Sequence, residues 1–200
     1  MVQSGLHGDD SENEIVMKWM SKVILMVCCA ALLCGCSNMK LRRQMKDFMG
    51  RKVVFPQELM EICAGRTRSV CVSMECPILV LFYGKDECSS CAINHLYDDL
   101  SGFEELENVD NCKVMVLFSL TMDEEQVEVP EKIRELKFPF PIYVDAYGDF
   151  YRVNADFPSD KRFHSFLLGA DGHPVLIGNP LSNEKLRELF DRIVVGMSNQ

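Results

Sequence analysis

The sequence predicts an α/β domain in which helices cover both faces of a central sheet. Three observations carry that prediction. Ile78-Leu79-Val80-Leu81-Phe82-Tyr83 is an unbroken apolar run bounded by Pro77 and Gly84, the pattern of a strand buried on both faces. Behind it, Ala92 to Leu100 places apolar residues at 93, 96, 97 and 100, a helical spacing. Two more short apolar runs, Val114–Phe118 and Pro141–Val144, alternate with a second helical stretch, and such alternation calls for a sheet covered on both sides.

Taken in chain order, Val53-Val54-Phe55 reads as a short strand stopped by Pro56. Leu59–Cys63 and Ser69–Ser73 flank Ala64-Gly65-Arg66-Thr67-Arg68 as a hairpin. The buried strand 78–83 follows, then a helix running to about Glu107, then the strand 114–118. Glu124 to Lys137 is expected to be helical, with Val127, Ile133 and Leu136 inward. The strand 141–144 is next. Ser165–Leu168 and Pro174–Ile177 bracket Ala170-Asp171-Gly172-His173, a hairpin signal resting on Asp-Gly. Ser182 is the expected cap of a closing helix striped by Leu186, Leu189, Phe190, Ile193 and Met197.

Cys88-Ser89-Ser90-Cys91 lies where the buried strand ends and the helix begins. That placement suits thiol chemistry. The attacking species in disulfide exchange is the thiolate, and the unpaired first-turn amides of a helix favour an anion there. Two intervening residues let the sulfurs meet in a small ring. Cys88 is then the attacking thiol and Cys91 the resolving one.

Composition bounds the alternatives. Two hundred residues suit one domain with appendages, and a formal charge of −9 with no basic run speaks against a nucleic-acid surface. Residues 17–35 resemble a bacterial lipoprotein signal peptide: Lys18 and Lys22 are basic, Val23–Leu33 is apolar, and Leu33-Cys34-Gly35-Cys36 matches a lipobox with Cys36 as the lipidated residue. Residues 1–16, with Asp9, Asp10, Glu12 and Glu14, do not suit the front of such a signal, and Met17 or Met20 is the expected start. Lipidation implies a membrane-anchored protein of the cell envelope, facing the periplasm, where disulfides persist. Residues 36–50 read as an amphipathic tether and residues 51–200 as the folded domain.

This order, with C-x-x-C opening the first long helix, resembles the thioredoxin superfamily, and more narrowly the membrane-tethered thioredoxin-like and redoxin lipoproteins of bacterial envelopes. The resemblance rests on Leu81-Phe82-Tyr83-Gly84, on Cys88-Ser89-Ser90-Cys91 and on Phe166-Leu167-Leu168-Gly169-Ala170-Asp171-Gly172. It implies a thioredoxin-like fold: a central mixed sheet with helices on both faces, here with a β-hairpin extension at the N-terminal side. It also implies thiol–disulfide exchange with a protein substrate and a redox partner through Cys88 and Cys91, with no cofactor. Three positions depart from the pattern. Glu87, next to Asp86, stands where the family usually has tryptophan, and carboxylates beside a forming thiolate oppose it. Leu81 lies where some relatives carry a buried acid. The family's cis-proline site falls near Phe163-His164, and the nearest proline is Pro158.

The remaining constellations have plainer readings beside their functional ones. Cys91 and His95 share a helix face at i, i+4, and His164 is expected near the same sheet edge. With Cys88 they suit Cu(I) or Zn, although helix-surface and packing duty is the ordinary role of such histidines. Cys63 and Cys71 flank the first hairpin and read either as a disulfide or as packed thiols. Cys76 and Cys112 read as packed. A structural disulfide in a non-catalytic adaptor is the third reading of Cys88 and Cys91.

Overall fold

In the computed structural model of the protein, the residues described are Lys22, 39–84, 87, 89–98, 100–107, 112–120, 129–135 and 137–198. The chain divides into Met1–Gln44 and Met45–Gln200. Of the first unit only Lys22 and residues 39–44, the start of a helix (α1, residues 39–49), are described. Apart from Lys22, the expected signal segment lies outside the described residues, as do Cys36 and Cys88.

The second unit is built on a seven-stranded mixed sheet, in the order β2-β1-β5-β4-β3-β6-β7. Its strands are β1 (Leu59–Cys63), β2 (Arg66–Val70), β3 (Ile78–Tyr83), β4 (Lys113–Ser119), β5 (Ile142–Asp145), β6 (Ser165–Leu168) and β7 (Pro174–Ile177). The helices are α2 (Ser89–Asp98), α3 (Leu100–Glu107), α4 (Val129–Glu135), α5 (Asp149–Val153) and α6 (Glu184–Ser198), with a 3-10 turn at Lys161–Phe163. Strands β3, β4 and β5 are parallel, while β6 runs antiparallel to β3 and pairs with β7 as a hairpin. A parallel β–α–β unit followed by an antiparallel hairpin and a closing helix is the thioredoxin-like arrangement.

Alternation along β3 sends its side chains to two cores. On one face Leu81, Val116, Phe118 and Val144 pack against Ala92, Ile93 and Leu96 of α2, Phe103 of α3 and Ile133 of α4. Leu79 and Leu167 continue that face beneath Phe190 and Val194 of α6. On the other face Phe82 packs on Phe150 and Phe157, while Phe166 meets Phe48 and Phe157. Phe48 is 3% exposed, so the aromatic core reaches back to α1, upstream of Arg51.

Several expected elements move. Residues 53–55 form no strand: Val53 N–H donates to Gly172 O at 2.9 Å, and no ladder follows. The first hairpin turns on two residues, Ala64 and Gly65, both with positive φ, rather than on five. Its register pairs Cys63 with Arg66 and Leu59 with Val70. Cys71 therefore lies past the far end of the ladder, and of the two readings of Cys63 and Cys71 the disulfide is excluded by geometry; the Cys63 Sγ–H donates instead to Pro139 O at 3.4 Å. The closing helix is capped by Asn183, whose Oδ1 accepts from Lys185 and Leu186 N–H, while the Ser182 hydroxyl donates to Asn179 O. In its stripe Leu189 is exposed and Val194 is buried. Helix α5 and the 3-10 turn were not expected.

Candidate active site

The carboxyl ends of the parallel strands define the functional edge of the sheet, as in other open α/β sheets. Buried β3 delivers the chain there and is followed by Gly84, where a neighbour leaves no room for a side chain: a Cβ at residue 84 would overlap Tyr151 Oη. Gly84 and Glu87 are joined twice. Glu87 N–H donates to Gly84 O at 3.0 Å, and Gly84 N–H donates to Glu87 Oε1 at 3.3 Å. Helix α2 begins at Ser89, two residues after this turn.

Cys91 is the third residue of α2 and is exposed, within the first turn where backbone amides lack intrahelical acceptors. Leu81 is buried in the core that α2 packs on, so the sheet beneath the C-x-x-C helix is apolar there, as its identity implies. His95 is exposed in the last turn of α2, one turn beyond Cys91.

His164 is a different case. It follows the 3-10 turn, directly before β6, and is 7% exposed. Its ring stacks on Phe157 (centroids 5.5 Å apart) and meets Phe82 edge-on at 5.2 Å. Nδ1 lies 2.7 Å from Glu87 Oε1 and Nε2 lies 3.1 Å from Pro158 O. With both ring nitrogens engaged inside the protein, His164 has no lone pair to offer a metal, and the metal set expected to include it loses that ligand. No peptide bond among the described residues is cis.

The His164 hydrogen bond lowers the Glu87 carboxyl below its ordinary value, helped by the Gly84 amide and by Lys161, against burial, which by itself pushes it up most strongly. Glu87 and His164 were each singled out in the sequence, one as a charge beside Cys88 and one as a histidine near the sheet edge. Their pairing was not foreseen, because 77 residues separate them.

A second carboxylate at this edge, this one buried, is structural. Asp145, at the end of β5, accepts from the Ser119 hydroxyl at 2.8 Å and from the Asp149 and Phe150 N–H groups at 3.0 and 2.8 Å. It thereby caps α5, which carries Phe150 and Tyr151 under Phe82 and against Gly84.

No family model matches the chain, and no curated protein matches it. Solved structures with a similar arrangement include a thioredoxin-like protein from Porphyromonas gingivalis (13% identity over 73% of this chain and 92% of that one, TM-score 0.42). They also include the thioredoxin domain of a thiol-disulfide oxidoreductase from Bacteroides vulgatus (14% identity, 72% and 98%, TM-score 0.41). A third is AhpC from Enterococcus faecalis (18% identity, 75% and 95%, TM-score 0.45).

Proposed function

We propose that the protein is a thiol–disulfide oxidoreductase acting on protein substrates through Cys88 and Cys91. The observation that carries this reading is the exposed Cys91 in the first turn of α2, which opens at the carboxyl end of the buried central strand β3. A C-x-x-C pair at a helix start gains from amides that favour thiolate over thiol.

In the reducing direction, the Cys88 thiolate attacks a substrate disulfide, forming a mixed disulfide and releasing one substrate thiolate, which takes up a proton. Cys91, deprotonated, then attacks the Cys88 sulfur. The second substrate thiol leaves, and Cys88 and Cys91 end as a disulfide that a redox partner must reduce. The oxidising direction runs the same steps backwards. We place this domain in the cell envelope, anchored through lipid on Cys36, a reading supported by the lipobox pattern at Leu33–Cys36.

The test uses the Cys91→Ser protein, which cannot resolve a mixed disulfide. It is expected to accumulate a covalent adduct with a disulfide-containing protein, reversed by dithiothreitol and missing in the Cys88→Ser variant. If neither adducts nor alkylation of the wild-type pair are seen, the reading fails. Radiolabelled palmitate incorporation, lost on Cys36→Ser, tests the anchor separately.

A further inference from the structure

The hydrogen-bond partners of His164 define its protonation. A peptide carbonyl can only accept, so Nε2, 3.1 Å from Pro158 O, must carry a hydrogen. Nδ1 faces Glu87 Oε1 at 2.7 Å, and that oxygen already receives the Gly84 N–H. One proton lies between Nδ1 and the carboxylate, and two features assign it to the ring. Burial favours the neutral carboxyl, but the Gly84 amide, the His164 bond and the charge of Lys161 together outweigh it, and a distance of 2.7 Å is that of a charge-assisted bond. The pair is therefore imidazolium and carboxylate, with 9% and 18% of the side chains exposed.

Among the described residues Glu87 is the carboxylate that hydrogen-bonds the ring, while Asp160 acts on it through charge alone. Phe82 and Phe157 sandwich it without charge. On the preceding turn Asp160 is bound by Arg162 through both carboxylate oxygens, at 2.6–3.1 Å, and Lys161 repels rather than neutralises a cation. Glu87 is the partner that the fold brings to His164.

Both ends of the pair are anchored. The Glu87 carboxylate and amide close the turn on Gly84, and the His164 carbonyl accepts from Phe82 N–H at 2.7 Å. The ion pair thus joins the last turn before Cys88 to the residue that precedes β6. We propose that His164 is a positioning residue of the redox centre: its imidazolium holds the Gly84–Glu87 turn and cancels the charge of the carboxylate that immediately precedes Cys88 in the chain. The inference rests on the oxidoreductase reading. It reverses the expectation that Glu87 weakens Cys88 as a nucleophile, because a carboxylate inside a neutral pair opposes a neighbouring thiolate far less than a bare one does.

The test follows alkylation of Cys88 against pH in the full-length Cys91→Ser protein, read by mass spectrometry of the Cys88 peptide. Adding His164→Gln removes the cation hydrogen-bonded to Glu87 and leaves it only the Gly84 amide and the lesser effect of Lys161. The apparent thiol pKa is expected to rise by about one unit, a roughly tenfold slower reaction below the midpoint. Adding Glu87→Gln as well removes the bare charge and is expected to return the profile to within about threefold of the starting protein. A purely structural role would leave the combined variant as impaired as the single change or worse. An unchanged profile in His164→Gln, or no recovery in the combined variant, overturns the proposal. So does a ring 15N spectrum of the wild-type protein at neutral pH showing His164 as a neutral tautomer, a measurement that needs no variant to fold. Should the wild-type Cys88 prove unreactive while the spectrum shows an imidazolium, the oxidoreductase reading fails and the ion pair stands.

Discussion

The Phe82 amide donates to the His164 carbonyl across 2.7 Å, extending the β3–β6 ladder one step beyond the Leu81–Ser165 pair. That bond sets His164 beside the chain leaving β3. The sheet itself, and not a flexible loop, brings the imidazole to Glu87.

A pH dependence of stability follows from this pairing. Glu87 titrates below its ordinary value of 4.5 in the folded protein, so its contribution is fully present above that value. It is lost as pH falls through the lower folded-state value, where the carboxylate must be protonated before the pair can part. Asp160, lowered to about 2 chiefly by its side-chain bond to Arg162, extends the same acid-side loss over pH 4 to 2. Denaturant unfolding between pH 7 and 2 is expected to show stability falling on acidification, with a shallower acid limb in Glu87→Gln. An unaltered limb would contradict it.

How much of this was legible in the sequence depends on the range of the forces involved. Strand β3 and the β6–β7 hairpin were readable because their signals are local: an unbroken apolar run in one, Asp171-Gly172 with φ +87° at the glycine in the other. Strand β2 was misplaced by three residues because Arg66, Thr67, Arg68 and Ser69 lie exposed on a sheet edge, where no alternation is imposed. The turn that sets its register needs positive φ at Ala64, a residue that does not advertise it. Helix α5 went unseen because its cap, Asp145, belongs to the preceding strand and not to the helix's own first residues. Val53–Phe55 has strand composition, but the Asn154 side chain takes both the N–H and the C=O of Val54 in place of a neighbouring strand. The position of Cys91 in the first turn of α2 was legible, whereas the Glu87–His164 pair needed the β3–β6 register.

Thiol reactivity should divide the cysteines sharply. Burial pushes the Cys112 thiol up to about 11 from an ordinary 9.0, a roughly hundredfold loss of thiolate at pH 8, before any steric protection. Cys71 is exposed. Iodoacetamide at pH 8 is expected to modify Cys71 within minutes and to spare Cys112 until denaturant is added. Comparable labelling of the two in the native protein would contradict the buried placement of Cys112.

The aromatic core gives a stability prediction at the edge of the domain. Phe48 meets Phe157, Phe163 and Phe166 edge-on, with centroids 5.4–5.9 Å away, so Phe48→Ala removes three ring contacts and leaves a cavity. The expected cost is about 3–5 kcal/mol. Its neighbour Met49 is 39% exposed, and Met49→Ala should change stability by less than about 0.5 kcal/mol. Thermal unfolding of the two variants checks the contrast, and a fragment starting at Arg51 should behave like Phe48→Ala.

The approach of Tyr151 to Gly84 sets the last prediction. A methyl at residue 84 would overlap Tyr151 Oη, while Tyr151 Cζ would lie 3.4 Å away, an ordinary contact. The overlap is thus with one oxygen at the end of a side chain that α5 holds against Phe82, while Phe82 Cε1, at 3.2 Å, would have to give by only a few tenths of an ångström. Gly84→Ala is expected to cost about 1–3 kcal/mol by overpacking and to slow disulfide exchange by displacing the turn that Glu87 closes. Adding Tyr151→Phe removes the offending atom and should recover most of both losses. If the combined change is as damaging as Gly84→Ala alone, contact with the Tyr151 hydroxyl is not what requires glycine at the end of β3.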